Sequence, residues 1–301
     1  MAETDHGYHV PVQGPEVLAY LAPVADGCYV DCTAGGGGHC ALLLSQLGPA
    51  GRCVALDRDP DAIAHLEQRF RGEQRLLICR SAFSCLGSSL NQLGLSRVNG
   101  FLFDLGVSSH QLDTPGRGFS YRGSGPLDMR MDPDRDEPVS HLLARASDNE
   151  IATVLREVGE VHSAHRIAAR IANNHPRSTA ELRAAVEQAI GRPASPSLLS
   201  KIFMALRIWV NREFEELAAG LEQAFSFLAP EGRIAVISYH SGEDRIVKNW
   251  MRDKARTQPD KAVLLTKKPV YPADVEVNRN PRARSARMRD LKARSEPEYE
   301  S

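Results

Sequence analysis

Long apolar runs are missing from this sequence of 301 residues, and so are cysteine pairs with the spacing of a metal site. No run of about 18 apolar residues occurs, so we expect no membrane-spanning helix and no membrane partner. The N-terminal residues have neither the apolar stretch of a secretory signal nor the arginine-rich pattern of a transit peptide, and we therefore expect a cytoplasmic protein. None of the six cysteines belongs to a CxxC pair, so we expect buried thiols and no metal.

Net charge is also nearly absent, at −1 for the whole chain at pH 7. This small value hides an uneven distribution, because residues 245–294 hold 15 Lys and Arg against 5 Asp and Glu. A basic segment on an otherwise acidic chain suits a polyanionic partner, and it is equally typical of a solvated surface. Charge alone leaves both interpretations open.

Short apolar runs alternate with helical patterns in the first part of the chain. Four runs read as strands, at 29–30, 52–57, 75–79 and 100–104, and a fifth follows only at 232–238. Strands that alternate with helices predict an α/β protein with a doubly wound, mostly parallel sheet. The long gap before the fifth run predicts that a subdomain is inserted into the sheet.

The predicted insert has an irregular part and a helical part. Residues 107–139 are rich in Gly, Pro, Asp and Arg without sustained periodicity, which is typical of a functional or a disordered segment. Apolar side chains such as Phe119 argue against simple disorder. Capping boxes at 147–150 and 178–181 predict two helices. The apolar pattern over 197–225 predicts a single long helix that leads back to the sheet.

Four consecutive glycines, 35–38, follow the first predicted strand and open a helix. At such a turn the amide dipoles of the new helix converge and a ligand can approach the backbone. Asp57 closes the second strand about 20 residues later, where a carboxylate can hold both hydroxyls of a ribose. A dinucleotide and S-adenosylmethionine both fit a glycine turn followed by such an acid. Asp31 favours the second, because an acid there suits a cationic amino group and repels a pyrophosphate, although Asp31 also fits a structural cap of the turn.

Asp104 ends the fourth predicted strand, where open sheets have the mouth of their crevice. Amino-group methyltransferases commonly carry Asp, Asn or Ser there before Pro-Pro and an aromatic residue, and this chain has the acid without the Pro-Pro-aromatic. His240, just past the fifth strand, could orient or relay a proton, or simply be a hydrogen-bonded histidine at a strand end. Phe83 could stack on adenine or belong to the core.

Cations next to aromatic rings suggest contact with nucleic acid. Arg117, Phe119 and Arg130 suit phosphate neutralisation and stacking on an unpaired base, or alternatively the anchor of a hydrophobic lid with surface arginines. Arg282 and Arg284 suit phosphate contact, and their segment also fits a final edge strand with charged outer positions.

Ordered motifs run along nearly the whole chain: His9-Val-Pro11-Val, Asp31-x-Thr33 with Gly37-Gly38-His39, Asp57-Arg-Asp-Pro60, Asp104-Leu-Gly-Val-Ser-Ser-x-Gln111-Leu-Asp113, Arg117-Gly-Phe-Ser120, Gly125-Pro-Leu-Asp-Met-Arg-Met131, Ala205-Leu-Arg207-Ile-x-Val-Asn211-x-Glu213, Val236-Ile-Ser-x-His240-Ser241-x-Glu-Asp-Arg245 and Asn280-Pro-Arg-Ala-Arg-Ser-Ala286. They resemble the bacterial small-subunit (16S) rRNA cytosine-N4 methyltransferases, the RsmH or MraW family. The resemblance implies a seven-stranded Rossmann-like sheet and S-adenosylmethionine as the cofactor. It implies cofactor contacts at Gly37, Gly38, His39, Asp57, Phe83, Asp104 and Gln111.

The same resemblance implies a substrate and a division of the chain. The substrate would be a cytidine in the decoding region of small-subunit rRNA, within an assembled 30S-like particle. We expect a cofactor-binding part at 1–108, an inserted substrate-recognition subdomain at 109–204 and a second methyltransferase part at 205–301. The expected substrate-side residues are Ser108, Ser109, Arg117, Phe119, Arg130, Arg207, Asn211, Ser241, Arg282 and Arg284. Asp104 is our candidate catalytic residue, with His240 a weaker one.

Departures from the family pattern fall on the substrate side. This chain has Ser109-His110-Gln111 where the family usually has Ser-Pro-Gln, and Tyr239-His240-Ser241-Gly242-Glu243 where it has Phe-His-Ser-Leu-Glu. Two other functions use the same features. One is a nicotinamide-dependent oxidoreductase built on the same glycine turn, and the other is a non-catalytic RNA-binding protein on a methyltransferase scaffold.

Overall fold

The computed structural model of the protein describes residues 11–295; His9 of the first motif lies outside them. The strands are β1 (Cys28–Asp31), β2 (Arg52–Asp57), β3 (Leu76–Arg80), β4 (Val98–Asp104), β5 (Leu228–Ser238), β6 (Ala262–Leu264) and β7 (Arg287–Ala293). The helices are α1 (Gly14–Leu21), α2 (Gly38–Gln46), α3 (Pro60–Arg69), α4 (Leu86–Gln92), α5 (Ser109–Asp113), α6 (Val139–Arg145), α7 (Asp148–Glu157), α8 (Ala164–Asn174), α9 (Thr179–Ile190), α10 (Pro196–Asn211), α11 (Glu213–Phe227), α12 (Ser241–Thr257) and α13 (Asp274–Arg279).

The seven strands form one sheet in the order β3-β2-β1-β4-β5-β7-β6. The strands from β1 to β5 pair in parallel, and β7 runs antiparallel to both of its neighbours, β5 and β6. The structure therefore confirms the predicted doubly wound, mostly parallel seven-stranded sheet. The strand order reverses between β1 and β4, so their carboxyl ends, Asp31 and Asp104, flank the crevice in which such sheets bind ligands.

Alternate residues of each central strand are buried in different apolar clusters. Val30 of β1 and Phe101 of β4 belong to one cluster, and their neighbours Tyr29 and Leu102 belong to another. Since successive side chains of a strand point to opposite faces, both faces of the sheet are covered. This explains why these strands read as continuous apolar runs in the sequence.

The chain divides into two compact units. The sheet unit consists of the residues through Gly106 and those from Phe214 onward, and the insert unit consists of residues 107–213. The insert has its own apolar core, formed chiefly by α6 to α10. Phe119, Leu127 and Met129 of the irregular segment are buried in that core, so the segment is anchored.

Local signals correctly predict α7 and α9 of the insert but not how the helical pattern over 197–225 is divided. Ser147 and Glu150 form the expected reciprocal capping box of α7. Ser178 caps α9 as expected, although the Glu181 side chain accepts from the backbone N–H of Arg177 and not from that of Ser178. The prediction of a single helix over 197–225 is wrong, because α10 and α11 are separated at Arg212, whose φ of 50° is left-handed.

The position of the C-terminal strand β7 differs from the one that its charges suggested. The alternative of a final edge strand is wrong, since β7 lies inside the sheet between β5 and β6. Arg289 of β7 is buried and forms an ion pair with Asp244 of α12, with Nε 2.6 Å from Oδ1. Within residues 11–295, no helix combines the length and the apolar character that crossing a membrane requires.

Candidate active site

The glycine turn is tied to the end of β2 by the Asp57 carboxylate. Its Oδ2 accepts from the backbone N–H of Gly35 at 2.8 Å, and its Oδ1 accepts from that of Asp59 at 2.9 Å. Burial raises the pKa of Asp57 to about 6, although these two N–H donors lower it. The predicted ribose-binding acid therefore stands at a strand end, beside the predicted cofactor loop, and titrates close to neutral pH.

The backbone at Gly37 packs closely against side chains of α3 and of its C-terminal end. Gly37 precedes α2 with a φ of 77°, a conformation that glycine adopts without strain. A Cβ atom at this position would lie 2.5 Å from Cε2 of Phe70 and 2.8 Å from Cδ2 of Leu66. The side chain is thus missing at Gly37 because the residues of α3 and its C-terminal end pack there.

Asp31 is fully buried at the end of β1. Its Oδ1 accepts from the backbone N–H of Thr33 at 3.2 Å, and its Oδ2 accepts from the Cys40 thiol at 3.3 Å. Burial raises the pKa of Asp31, opposed by the nearby His39 and by these two donors. These contacts match the structural alternative, a cap of the turn, and contact with a cofactor amino group stays a prediction.

Asp104 brings several predicted residues of the sheet unit together. Its Oδ1 accepts a hydrogen bond from the Tyr239 hydroxyl at 2.7 Å, and its Oδ2 lies 3.4 Å from Nε2 of His39. Its backbone N–H donates to Oγ1 of Thr33 at 2.7 Å. The candidate catalytic carboxylate is therefore fixed at the mouth of the crevice.

His39 is buried in the first turn of α2. Burial lowers the pKa of this imidazole, but Asp104, Asp31 and Glu276 together more than offset the effect, so its pKa is raised. Nδ1 of His39 has no hydrogen-bonding partner among residues 11–295. A buried polar atom without a partner is expensive, so this nitrogen marks a place for a polar ligand group.

Phe83 and His240 each contact another group of the protein: Phe83 an aromatic ring, and His240 two backbone N–H groups. Phe83 is half-buried after β3, and its ring meets that of Phe103 edge-on with centroids 5.3 Å apart. His240 is the N-cap of α12, and its Nδ1 accepts from the backbone N–H groups of Gly242 and Glu243 at 3.2 and 3.4 Å. The cap agrees with the structural alternative for His240. Ser241, the next predicted residue, is exposed.

The predicted residues at the start of the insert form a helix cap. The Ser108 side chain accepts from the backbone N–H of Gln111 at 3.2 Å, and the Gln111 side chain accepts from that of Ser108 at 3.0 Å. Ser109 begins α5, and the Gln111 side chain is buried. The part of the loop that resembles the family's cofactor-binding stretch is thus a short, capped helix.

Predicted RNA-binding arginines of the insert are bound to their own loop. The Arg130 guanidinium pairs with Asp128 through two hydrogen bonds of 2.7 and 2.8 Å, and it also donates to the carbonyl of Pro133. Arg117 donates to the carbonyl of Arg130 at 3.0 Å. Phe119 is buried, so the interpretation as a lid anchor describes this stretch better than base stacking does.

The end of α10 is fixed in a similar way. Arg207 pairs with Glu213 through two hydrogen bonds of 2.7 and 2.9 Å. Asn211 is buried, and its amide donates to the carbonyls of Met129 and Arg207 while its oxygen accepts from the N–H of Met131. Asn211 therefore supports the loop, and its burial does not favour the predicted direct contact with RNA.

The C-terminal segment of the sheet unit exposes its cations. Arg282 and Arg284 are exposed on either side of the buried Ala283. Tyr271 and Val275 are exposed on the same segment, at 60% and 62%. The sequence interpretation passed over Tyr271, although an aromatic side chain within a basic segment is a recognisable signal for contact with unpaired bases.

No cluster of three or more His, Cys, Asp or Glu side chains in residues 11–295 is arranged to hold a metal ion. The cysteines are all free; Cys32, Cys40 and Cys53 are buried as expected, whereas Cys28, Cys79 and Cys85 are only partly buried.

Known proteins resemble this chain along nearly its full length. The model of the MraW methylase family matches residues 6–294. The ribosomal RNA small subunit methyltransferase H of Xanthomonas oryzae pv. oryzae is 44% identical, over 93% of this chain and 87% of the relative. The proteins of the same name from Thioalkalivibrio sulfidiphilus and Sorangium cellulosum are 44% and 45% identical, each over 93% of this chain, and over 96% and 89% of the relatives.

The matches distinguish the methyltransferase from the oxidoreductase among the functions that the sequence left open. They confirm the resemblance and the prediction of a methyltransferase that uses S-adenosylmethionine, and they give no support to a nicotinamide-dependent oxidoreductase. The buried, unpartnered nitrogen of His39 and the carboxylate of Asp57 beside the glycine turn fit a cofactor of that kind. The chain belongs to the MraW methylase family.

Proposed function

We propose that the protein transfers a methyl group from S-adenosylmethionine to the exocyclic N4 amino group of a cytidine in the decoding region of small-subunit rRNA. The relatives' name supports a small-subunit rRNA substrate. The observation that carries the chemistry is the Asp104 carboxylate, fixed at the end of β4 between Tyr239 and His39. An acceptor at this point suits an amino group as the target.

The residues of the glycine turn would hold the cofactor. Asp57 would accept the ribose hydroxyls, the backbone at Gly37 and Gly38 would line the cofactor, and Nδ1 of His39 would meet one of its polar groups. Phe83 would supply an aromatic surface for the adenine. When bound, the cofactor supplies a methyl group on a cationic sulfur, which leaves the protein to orient the nucleophile and keep water out.

Asp104 then acts on the amino group of the target base. A cytosine amino group is a poor nucleophile because its lone pair is delocalised into the ring. A hydrogen bond from its N–H to the Asp104 carboxylate localises the lone pair on nitrogen as the new C–N bond forms. The same carboxylate accepts the proton that leaves the methylated nitrogen.

The RNA has to present this base outside a duplex. We assign phosphate contacts to the exposed Arg282 and Arg284 and substrate recognition to the insert, with the assembled 30S-like particle as the substrate. Ser108, Ser109 and Ser241 remain candidates for contact with the RNA, and Arg117, Arg130 and Arg207 shape the loop of the insert. Several phosphate contacts predict binding that weakens steeply with salt.

Asp104→Asn tests the chemistry. Loss of a proton acceptor lowers single-turnover methyl transfer at saturating S-adenosylmethionine by about 100-fold or more. Calorimetry measures the cofactor affinity separately, because the resemblance to the family also implies a cofactor contact at Asp104. Asp253→Asn is the matched control, since that exposed carboxylate pairs with Arg256 on α12 and should change neither quantity. Full turnover by Asp104→Asn with normal cofactor affinity would rule out the assigned role.

The substrate is tested by mapping methylated nucleotides on small-subunit rRNA from a deletion strain. We expect one N4-methylcytidine to disappear and to return when the wild-type chain is restored, but not when Asp104→Asn is restored. A full set of methylated cytidines in the deletion strain contradicts the proposal. Comparing naked rRNA with purified small subunits in vitro then identifies the physical substrate.

A further inference from the structure

The carboxylate of Asp104 is held by an aromatic hydroxyl that the sequence interpretation did not use. The Tyr239 hydroxyl donates to Oδ1 at 2.7 Å, and Nε2 of His39 lies 3.4 Å from Oδ2. The backbone N–H of Asp104 also donates to Thr33 Oγ1, so the main chain of this residue is fixed as well.

Tyr239 is itself held in place. Its backbone N–H donates to Glu243 Oε2 at 2.8 Å, in the first turn of α12. Its half-buried ring passes the turn after β4, where a Cβ on Gly106 would lie 3.6 Å from Cδ2 of the tyrosine. Burial and the charge of Asp104 raise the pKa of Tyr239 well above its usual value. The hydroxyl therefore keeps its proton and remains a donor.

We propose that Tyr239 is a positioning residue for methyl transfer, whose hydroxyl fixes the Asp104 carboxylate in the orientation that meets the target amino group. The inference rests on the proposed role of Asp104 as the proton acceptor. A hydrogen bond donated to a carboxylate favours its charged form over the neutral acid. Tyr239 thus supplies an uncharged donor at a point where a second cation would repel the positive sulfur of the cofactor.

Other charged groups near this pair act in both directions. Besides Asp104, the carboxyl groups of Glu243 and Glu276 interact with Tyr239. Asp31 and His39 interact with Asp104. The carboxylates repel the charge of Asp104, and a protonated His39 attracts it. Tyr239 is the uncharged member of this set, so replacing it with Phe removes a hydrogen bond without changing the formal charge.

The test is single-turnover methyl transfer by Tyr239→Phe, which removes only the hydroxyl. At saturating cofactor we expect a rate about tenfold lower than that of the wild type, because hydrogen bonds to charged groups contribute on that order. The affinity for S-adenosylmethionine and the midpoint of thermal unfolding should stay close to the wild-type values. A role limited to packing would lower that midpoint together with the rate.

A second measurement needs neither cofactor nor RNA. The imidazole of His39 is followed by NMR as the pH is changed in the cofactor-free protein. In Tyr239→Phe, Asp104 has lost one donor and attracts the protonated imidazole more strongly, so we expect a further rise in the pKa of His39. An unchanged titration of His39 would overturn the inference, as would methyl transfer by Tyr239→Phe at the wild-type rate.

Two variants separate the possible failures. Tyr29→Phe removes another tyrosine hydroxyl of the sheet unit, one that accepts from the backbone N–H of Val24 at 2.9 Å, and should leave the rate of methyl transfer and the titration of His39 unchanged. Asp104→Asn tests the acceptor itself. If Asp104→Asn is inactive while Tyr239→Phe behaves as the wild type, only the positioning role is wrong. If Asp104→Asn turns over normally, the proposed chemistry is wrong as well.

Discussion

Arginines that the sequence assigns to one function have different surroundings in the two units. In the insert, Arg130 and Arg207 each form two hydrogen bonds with one carboxylate, that of Asp128 and that of Glu213. In the sheet unit, Arg282 and Arg284 are exposed. A residue type and a motif match therefore do not distinguish an arginine that organises a loop from one that is exposed on the surface.

The aspartates of the two units also differ, in their place in the fold and in the groups that they contact. In the sheet unit, Asp31, Asp57 and Asp104 stand at the ends of neighbouring parallel strands and interact with backbone N–H groups or with other polar side chains. In the insert, Asp128 belongs to an irregular segment and holds an arginine. Strand ends converge through the topology of the sheet, whereas the loop is organised by its own side chains. Changes in the two units should consequently have separable effects.

The largest effect is expected from Gly37→Ala in the sheet unit. The substitution combines a left-handed backbone with overlap against Phe70 and Leu66, so we expect the free energy of unfolding to fall by about 3 kcal/mol. Cofactor affinity falls too, because the same turn lines the proposed binding site. Urea unfolding and calorimetry measure the two quantities.

Gly72→Ala is the control for Gly37→Ala. Gly72 also has a left-handed φ, of 89°, but no atom lies within 4 Å of the position of its Cβ. We expect a loss of about 1 kcal/mol from backbone strain and no change in cofactor affinity. Equal losses in both variants would show that the packing against α3 does not require glycine at 37.

Asn211→Ala is the matching change in the insert. Removal of its buried amide takes away the hydrogen bonds to the Met129 carbonyl and the Met131 N–H, which costs about 2 kcal/mol. Amide exchange at Met131 should accelerate while cofactor affinity is unchanged. Asn174→Ala, at an exposed asparagine of α8, is expected to change little. Weaker RNA binding with normal exchange at Met131 would instead favour direct contact with RNA.

The sequence is sufficient for much of the sheet and for less of the site. Apolar runs locate the strands, and the ends of the runs locate Asp31, Asp57 and Asp104. The hydrogen bond between Tyr239 and Asp104 joins residues 135 positions apart, and it depends on the register in which Asp104 pairs with Ile237. No local sequence pattern predicts that register.

Two further errors have the same origin. The break at Arg212 occurs without glycine or proline, so the apolar periodicity runs through it unchanged. The charges of β7 suggest an edge strand, yet Arg289 is neutralised by Asp244, which precedes it by 45 residues. Long-range partners, which a single sequence does not display, decide both cases.

The pH dependence of cofactor binding provides a smaller, graded test of the sheet unit. Because the pKa of Asp57 is raised to about 6, a falling pH protonates this carboxyl and removes an acceptor for the ribose hydroxyls. We expect S-adenosylmethionine affinity to be constant above about pH 7 and to fall by up to about tenfold per unit below pH 6. Calorimetry from pH 5 to 8 measures this, and Asp57→Asn should bind weakly without that dependence. An equally pH-dependent Asp57→Asn would assign the titration to another group.

The smallest effect concerns the exposed cations themselves, and it tests the contrast between the two units directly. If Arg282 and Arg284 each neutralise one phosphate, replacing both with Gln reduces the slope of log Kd against log salt by about 1.4 to 1.8. Arg130→Gln should leave that slope unchanged and lower the stability of the insert, because its guanidinium is occupied by Asp128 and Pro133. Filter binding of small subunits over a salt series gives the slopes, and thermal unfolding gives the stability. A slope lowered by Arg130→Gln and not by the double variant would reverse the assignment, since the loop arginine would then exchange its internal partners for RNA.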